Sequence, residues 1–340
     1  MLLRLVLVVI ALVLSTPVPA HAHGADAPDA TNYLSRIVQA PVLAGLEVKM
    51  IEAGARLQLT NRSGRNVEVL GYQGEPYLEV RPDGVYENIH SPATYLNVTI
   101  AHVDPPAHAD PTVPPEWKKV AQEPVYRWHD QRALPPAGVA EPRADTPQHI
   151  RDWTVPMRVD ATPLSVNGVL EWMPPPPAGL WWGLAIVGAG LVALLGLVRR
   201  RITPVLAVLV MLGSALALGY GVSREVDAGN LTFGAIVGQL FSAQLWSTVT
   251  ALAAIAAAVY ALVRTEGDFA VALGGAAVGL FSGMVNAAVF HRAITPVPWD
   301  ASLARVIIVA VIVLGGGACF AAMLRLRAAT PPRVPAGQTE

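Results

Sequence analysis

The second half of the chain carries five apolar runs: Leu180 to Val198, Val205 to Val222, Leu245 to Val263, Phe269 to Phe290 and Val306 to Leu324. At a helical rise of about 1.5 Å per residue, each reaches roughly 30 Å, the thickness of a bilayer's hydrocarbon core. Inside lipid no water is available to the backbone, so such runs fold as helices. This feature commits residues 179–325 to an α-helical membrane bundle of five spans. Composition agrees, because 53% of the 340 residues are hydrophobic and 14% charged, whereas about a quarter are charged in soluble domains. A formal net charge of −1 excludes a strongly basic nucleic-acid binder. The partners to expect are the lipid bilayer and another envelope protein.

Arginines set the orientation. Arg199, Arg200 and Arg201 separate the first two runs, Arg264 separates the third and fourth, and Arg325, Arg327 and Arg333 follow the fifth. The opposite loops hold only Arg224, Arg292 and Arg305. The positive-inside rule then makes residues 326–340 a cytoplasmic tail and places the first half of the chain outside. Residues 1–22 read as a secretory signal, with Arg4, an apolar stretch from Leu5 to Leu14, and small residues at Ala20 and Ala22. Cutting after Ala22 leaves His23 first; cutting after Ala20 leaves His21 first. The expectation is a multi-pass plasma-membrane protein with an extracytoplasmic domain over 23–178. Phe233, Ile236, Val237, Leu240 and Phe241 recur at helical spacing, so Leu231 to Ala243 is either an interfacial helix or an extension of the third span.

Within the exported segment, apolar and polar residues alternate at Leu46–Met50, Leu57–Leu59, Val67–Val69, Tyr77–Val80, Val85–Asn88, Tyr95–Ile100, Trp153–Val159 and Val166–Trp172. Turn residues such as Asn61-Arg62-Ser63-Gly64 and Pro82-Asp83-Gly84 separate them. This pattern predicts an all-β domain, an immunoglobulin-like antiparallel sandwich. Glu75, Glu79, Asp83 and Glu87 fit a solvated face of it. Residues 103–150 form a long proline-rich loop whose prolines deny it long helices and central strands. Its aromatics, Trp117, Tyr126 and Trp128, point to packing on the sandwich. Pro174 to Pro177 form a stiff spacer, and Trp181 and Trp182 an interfacial aromatic pair.

No nucleophile elbow, zinc-protease helix, phosphate loop or dinucleotide fingerprint is present, so the reading is non-enzymatic. Cys319 is the sole cysteine, which excludes an internal disulfide and a multi-cysteine zinc site. Seven of the eight histidines lie in the exported part. The sharpest chemistry they offer is Cu(II) capture at a mature N-terminal histidine. With His21 first, the amine, two amide nitrogens and the His23 imidazole complete a square-planar set, and His90, His102 and His129 are further candidate ligands. A metal-free scaffold or signalling protein is the alternative, and a transporter component the third class. The spans hold no clearly buried ionisable group; Gln244, Asn286 and His291 come nearest. Gly275-x-x-x-Gly279-x-x-x-Gly283 and Gly315-Gly316-Gly317 fit close helix packing.

The stretch Gly71-Tyr72-Gln73-Gly74-Glu75-Pro76-Tyr77-Leu78-Glu79-Val80, with Asp83-Gly84-Val85-Tyr86-Glu87-Asn88, Ser91-Pro92-Ala93-Thr94-Tyr95-Leu96-Asn97 and Arg127-Trp128-His129-Asp130, resembles a family of actinobacterial membrane proteins. That resemblance covers most of the exported domain and implies no catalytic residue. A weaker likeness is to copper-resistance proteins that fuse a periplasmic sandwich with an N-terminal histidine to a helical membrane domain. The present chain has a longer exported part, fewer spans and no histidine or methionine pairs within them.

Overall fold

The computed structural model describes residues 30–100, 103–136, 138–198, 200–264 and 266–329. The segment expected to be a signal, His21, His23, His102 and residues 330–340 lie outside them.

An antiparallel β region comes first. Its strands are β1 (Tyr33–Gln39), β2 (Leu46–Ile51), β3 (Arg56–Asn61), β4 (Val67–Leu70), β5 (Pro76–Arg81), β6 (Gly84–Asn88), β7 (Trp117–Ala121), β8 (Val125–Trp128), β9 (Gln148–Val159) and β10 (Thr162–Trp172). Seven form one sheet in the order β1-β10-β9-β4-β5-β6-β7, and three form a second in the order β2-β3-β8. Alternation builds the core. Trp153, Val155, Met157 and Val159 of β9 are buried while Thr154 and Arg158 between them face out. They join Leu57, Leu59 and Trp128 of the smaller sheet in one cluster. Each such side chain contributes about 1.5–3 kcal/mol by leaving water.

The proline-rich stretch supplies β7 and β8, which are both edge strands. Edges tolerate the missing N–H groups of nearby Pro114, Pro115 and Pro124. The predicted strand from Tyr95 is not formed. Pro92–Leu96 is instead a single helical turn, α1, whose Ser91 Oγ accepts from the Ala93 N–H with Pro92 beginning the turn. A capped start with proline in the first turn overrides the short alternation that follows. The predicted solvated carboxylate face is also corrected. Glu75 is buried, accepting from Ser91 Oγ at 2.7 Å and from the Gln73 N–H at 2.9 Å. Glu87 accepts from the Tyr126 hydroxyl across the gap to the smaller sheet.

After the spacer come α2 (Ala178–Leu194), α3 (Thr203–Asp227), α4 (Phe233–Ser242), α5 (Leu245–Val263), α6 (Asp268–Val278) and α7 (Ala301–Ala329). Among the described residues, four helices are long and apolar enough to cross a membrane, namely α2 with its 3₁₀ extension to Leu197, α3, α5 and α7. The fourth predicted run is broken. After the 11 residues of α6 it continues as a π-helical stretch, Gly279–Met284, and a 3₁₀ turn, Ala287–Phe290. Glycines weaken the helix there, and Asn286 bonds back to the Ser282 carbonyl at 2.8 Å. A non-helical Gln244 (φ −115°, ψ 28°) separates α4 from α5.

The small-residue expectation meets a concrete contact. A Cβ placed on Gly275 of α6 would lie 2.6 Å from the Gly315 carbonyl oxygen of α7, so the two backbones touch. One end of the bundle is tied where Asp268 accepts from Thr203 Oγ1 at 2.7 Å and Arg325 Nε at 2.9 Å. At the opposite end Trp181 and Trp182 pack on Phe290, and Trp182 Nε1 donates to His291 Nε2 at 2.9 Å.

Candidate functional site

The seam between the β region and the helices is polar and buried, and it begins with a strained turn. Between β2 and β3, Glu52 and Ala53 both have φ 55° and Gly54 has φ 87°. Two non-glycine residues in the left-handed region cost about 1–3 kcal/mol each and persist only where surrounding contacts hold them. One such contact is on the helix side: the Ala53 N–H donates to Asp227 Oδ2 at the end of α3, 2.8 Å away.

The turn buries the Glu52 side chain, which is 5% exposed. Arg56 answers it, with Nη1 donating to Oε1 at 3.3 Å. Arg56 Nε lies 3.2 Å from Oε2, but its single proton goes to His129 Nε2 at 2.8 Å. Oε2 is therefore left without a hydrogen bond. Burial pushes the Glu52 carboxyl up to about 7 despite the pull of Arg56 and Arg127, with Asp227 and Glu225 adding to the rise.

Arg127 spans the seam. In the β3–β8 register it stands opposite Gln58, and its Nε donates to Gln58 Oε1 at 2.9 Å. Its other two nitrogens reach the loop after α3, where Nη1 donates to Asn230 Oδ1 at 3.0 Å and Nη2 to the Gly229 carbonyl at 2.6 Å. The planar five-donor guanidinium suits this fork, which a point charge could not fill. Beyond it the chain of bonds enters the bundle. Asn230 Nδ2 donates to Glu225 Oε2 at 2.9 Å, and Gln244 Nε2 donates to Glu225 Oε1 at 2.5 Å. Glu225 is 6% exposed.

A second tie lies at the base of β1. Thr31 and Ile294 exchange backbone hydrogen bonds of 3.0 and 2.8 Å. Glu141 bridges Asn32 Nδ2 at 3.0 Å and Arg292 Nη1 at 2.6 Å.

Beside the first tie, a cavity of about 160 Å³ opens at the edge of β8, and Arg56, Arg127 and His129 belong to both. Tyr77, Glu87, Asn97 and Tyr126 complete its polar wall.

Two of the candidate metal ligands fall within the described residues, and they do not share a partner. His129 is 1% exposed. Its Nδ1 lies 2.9 Å from the Ala55 carbonyl, so that nitrogen donates while Nε2 accepts from Arg56. Both ring nitrogens are thus engaged by the protein. His90 Nδ1 lies 3.0 Å from the Pro114 carbonyl, and its Nε2 is 3.7 Å from Glu116. His21, His23 and His102 fall outside the described residues. Among the described residues, no group of three or more histidine, cysteine, aspartate or glutamate side chains converges as metal ligands would.

Sequence reasoning passed over Glu52, Arg56, Glu225 and Asp227. The available signal was Glu225 and Asp227 at the end of an apolar run, followed by Gly229-Asn230, a helix-stop pair. Of the three polar positions it did single out, Gln244 holds Glu225, Asn286 Oδ1 accepts from Arg224 Nη1 at 3.2 Å, and His291 holds Trp182.

No family model matches the chain, and neither does a curated protein or a solved structure.

Proposed function

We propose that the chain is a non-enzymatic multi-pass envelope protein whose extracytoplasmic β domain binds a ligand or partner while docked on the helices, so that binding reaches the membrane part. The observation carrying this is Arg127, which lines the cavity of the β region and grips Gly229 and Asn230 at the end of a membrane helix. A domain merely tethered through Pro174–Pro177 would have no use for a buried network running through Glu225 to Gln244.

Five crossings suit this reading, with the broken segment from Asp268 to Phe290 as the fourth. Supporting it, Asp268 is bonded to Arg325 near the end of α7, whereas Ile294 pairs with Thr31 at the foot of the β region. An odd number of crossings puts the β domain and the C-terminus on opposite sides, and the arginine bias then assigns the C-terminus to the inside. On this reading α4, with Phe233 and Phe241 exposed, lies in the outer interface. Copper capture at a processed N-terminus would be added by His21 and His23. Titrating Cu(II) into the mature protein and into a form retaining one extra N-terminal methionine tests it, since the extra residue should abolish binding.

The deciding experiment places spin labels at Asp83→Cys and Phe233→Cys in a Cys319→Ser background in detergent. Docking gives one narrow distance distribution; a broad one overturns it. Labelling Asp83→Cys with an impermeant maleimide in intact spheroplasts must succeed without lysis, or the sidedness is wrong.

A further inference from the structure

The arginines at the two ends of the helix bundle differ in what they hold. At the end facing the β region the protein engages all three. Arg224 Nη1 donates to Asn286 Oδ1 at 3.2 Å, and Arg292 pairs with Glu141. Arg305 is buried and donates to the carbonyls of Val289, Arg292 and Ala293. At the far end Arg325 takes Asp268 at 2.9 Å. Arg200, Arg201, Arg264 and Arg327 are exposed at that end and make no ion pair among the described residues. A count of arginines gives a surplus at one end; it does not say that one set is spent and the other left over.

Tertiary contacts gather three of the four at one corner. Arg325 Nη1 donates to the carbonyls of Val198 and Arg200, each at 3.2 Å. The segment after α2 is thereby held against the end of α7, where Arg327 lies. Arg201 precedes Thr203, whose hydroxyl shares Asp268 with Arg325. Arg264 belongs to the end of α5 and stacks over Tyr260 at 5.8 Å.

An open face of α7 leads to this corner. A Cβ on Gly188 of α2 would lie 2.7 Å from the Val313 side chain, and one on Gly275 of α6 would lie 2.6 Å from the Gly315 carbonyl. On the opposite side of α7, a Cβ on Gly213 of α3 would lie 3.3 Å from Leu314. At about 100° per residue, Gly316, Phe320, Met323 and Arg327 all fall in the arc between Val313 and Gly315, so α2 and α6 flank them. A Cβ on Gly316 would meet nothing within 4 Å, and Phe320 and Met323 are 59% and 42% exposed. From Gly316 to Arg327 the helix rises about 16 Å, close to half the hydrocarbon thickness of a bilayer.

We infer that this corner binds an anionic phospholipid of the adjoining leaflet, its phosphate on Arg200, Arg201 and Arg327 and an acyl chain along Gly316, Phe320 and Met323. Guanidinium groups fork onto phosphate oxygens, and each basic group near an anionic lipid surface contributes roughly fivefold in affinity. A zwitterionic phospholipid would bring its own cation to three unpaired guanidiniums. A free phosphate would leave the apolar face bare. The inference rests on the membrane-crossing helices and is independent of docking by the β domain.

Native mass spectrometry of the full chain in detergent tests it, with dioleoylphosphatidylglycerol, dioleoylphosphatidylcholine and inorganic phosphate as probes. Phosphatidylglycerol should bind at least about tenfold more tightly than phosphatidylcholine, and excess phosphate should not displace it. Arg200→Gln, Arg201→Gln and Arg327→Gln together should remove that preference. Since none of the three side chains makes an ion pair among the described residues, the lipid-free melting midpoint should stay within about two degrees. Gly316→Phe keeps every charge and fills the open face, so it should weaken phosphatidylglycerol about fivefold; it supplies the answer should the triple variant fail to fold. Equal affinity for the two lipids, a preference that survives the triple substitution, displacement by phosphate, or indifference to Gly316→Phe would each overturn the assignment.

Discussion

Arg127 Nη2 donates to the carbonyl oxygen of Gly229 across 2.6 Å, joining an edge strand of the β region to the loop that ends a membrane helix. The same guanidinium holds Gln58 and Asn230. One planar group thereby joins β8 to β3 and to the loop after α3, and Asn230 of that loop reaches the carboxylate of Glu225.

Arg127→Ala removes all three bonds and strands the Gly229 carbonyl. Hydrogen bonds to charged groups contribute about 1.5–3 kcal/mol, so the seam should open measurably. Hydrogen exchange at residues 228–230 and at Ala53 should accelerate about tenfold or more, while core amides of β9 stay protected. Arg127→Lys should behave almost as badly, since one ammonium cannot fork to three acceptors.

Gly229→Ala is expected to be at least as damaging. Gly229 has φ 78°, and a Cβ there would sit 2.6 Å from Gln58 Oε1 and 3.1 Å from Arg127 Nη2. The left-handed backbone alone costs a non-glycine residue about 1–2 kcal/mol. The thermal midpoint of the detergent-solubilised protein should fall, and spin labels across the seam should show a second, longer distance.

Glu52 makes the seam pH-dependent. Its folded-state value of about 7 lies above its ordinary 4.5, so the folded form holds the proton more tightly than the unfolded chain. Its stabilising contribution is complete below about pH 4.5 and is lost as pH rises toward 7, by about 3 kcal/mol at most. Glu52→Gln should flatten the melting profile between those limits and make the variant the more stable protein at pH 7.5. Equal slopes for the two proteins would refute the role given to this carboxyl. Arg56, Arg127, His129, Asp227 and Glu225 surround it, so the difference between the two profiles is the quantity to read.

Helix packing offers a separate check. Gly275→Leu drives a side chain into the Gly315 carbonyl of α7 and should lower the midpoint by several degrees or prevent assembly. Gly190→Leu is the control. Nothing lies within 4 Å of a Cβ at Gly190, so the midpoint should stay within a degree or two.

Much of this architecture was legible as local pattern. Alternation located the strands at Leu46, Leu57, Val67, Tyr77, Val85, Trp153 and Val166, because a strand with one buried face must repeat every second residue. Apolar length located the helices that cross, and the spacing of Gly275, Gly279 and Gly283 located a helix contact. Local pattern misled at Tyr95, where the Ser91-Pro92 start decided for a helical turn, and at Glu75, whose burial depends on the distant Ser91; half-buried Glu87 meets the distant Tyr126.

The sequence by itself determined that a β-rich segment precedes helices fit for lipid, since hydrophobic periodicity and run length are properties of neighbouring residues. Only the tertiary structure decided that the strands divide seven and three, that the run from Phe269 breaks, and that Glu52, Arg127 and Gly229 meet. Those outcomes rest on which buried polar groups satisfy one another. Partners for a carboxylate or guanidinium are chosen by distance in space, and the residues that met here are far apart in the chain.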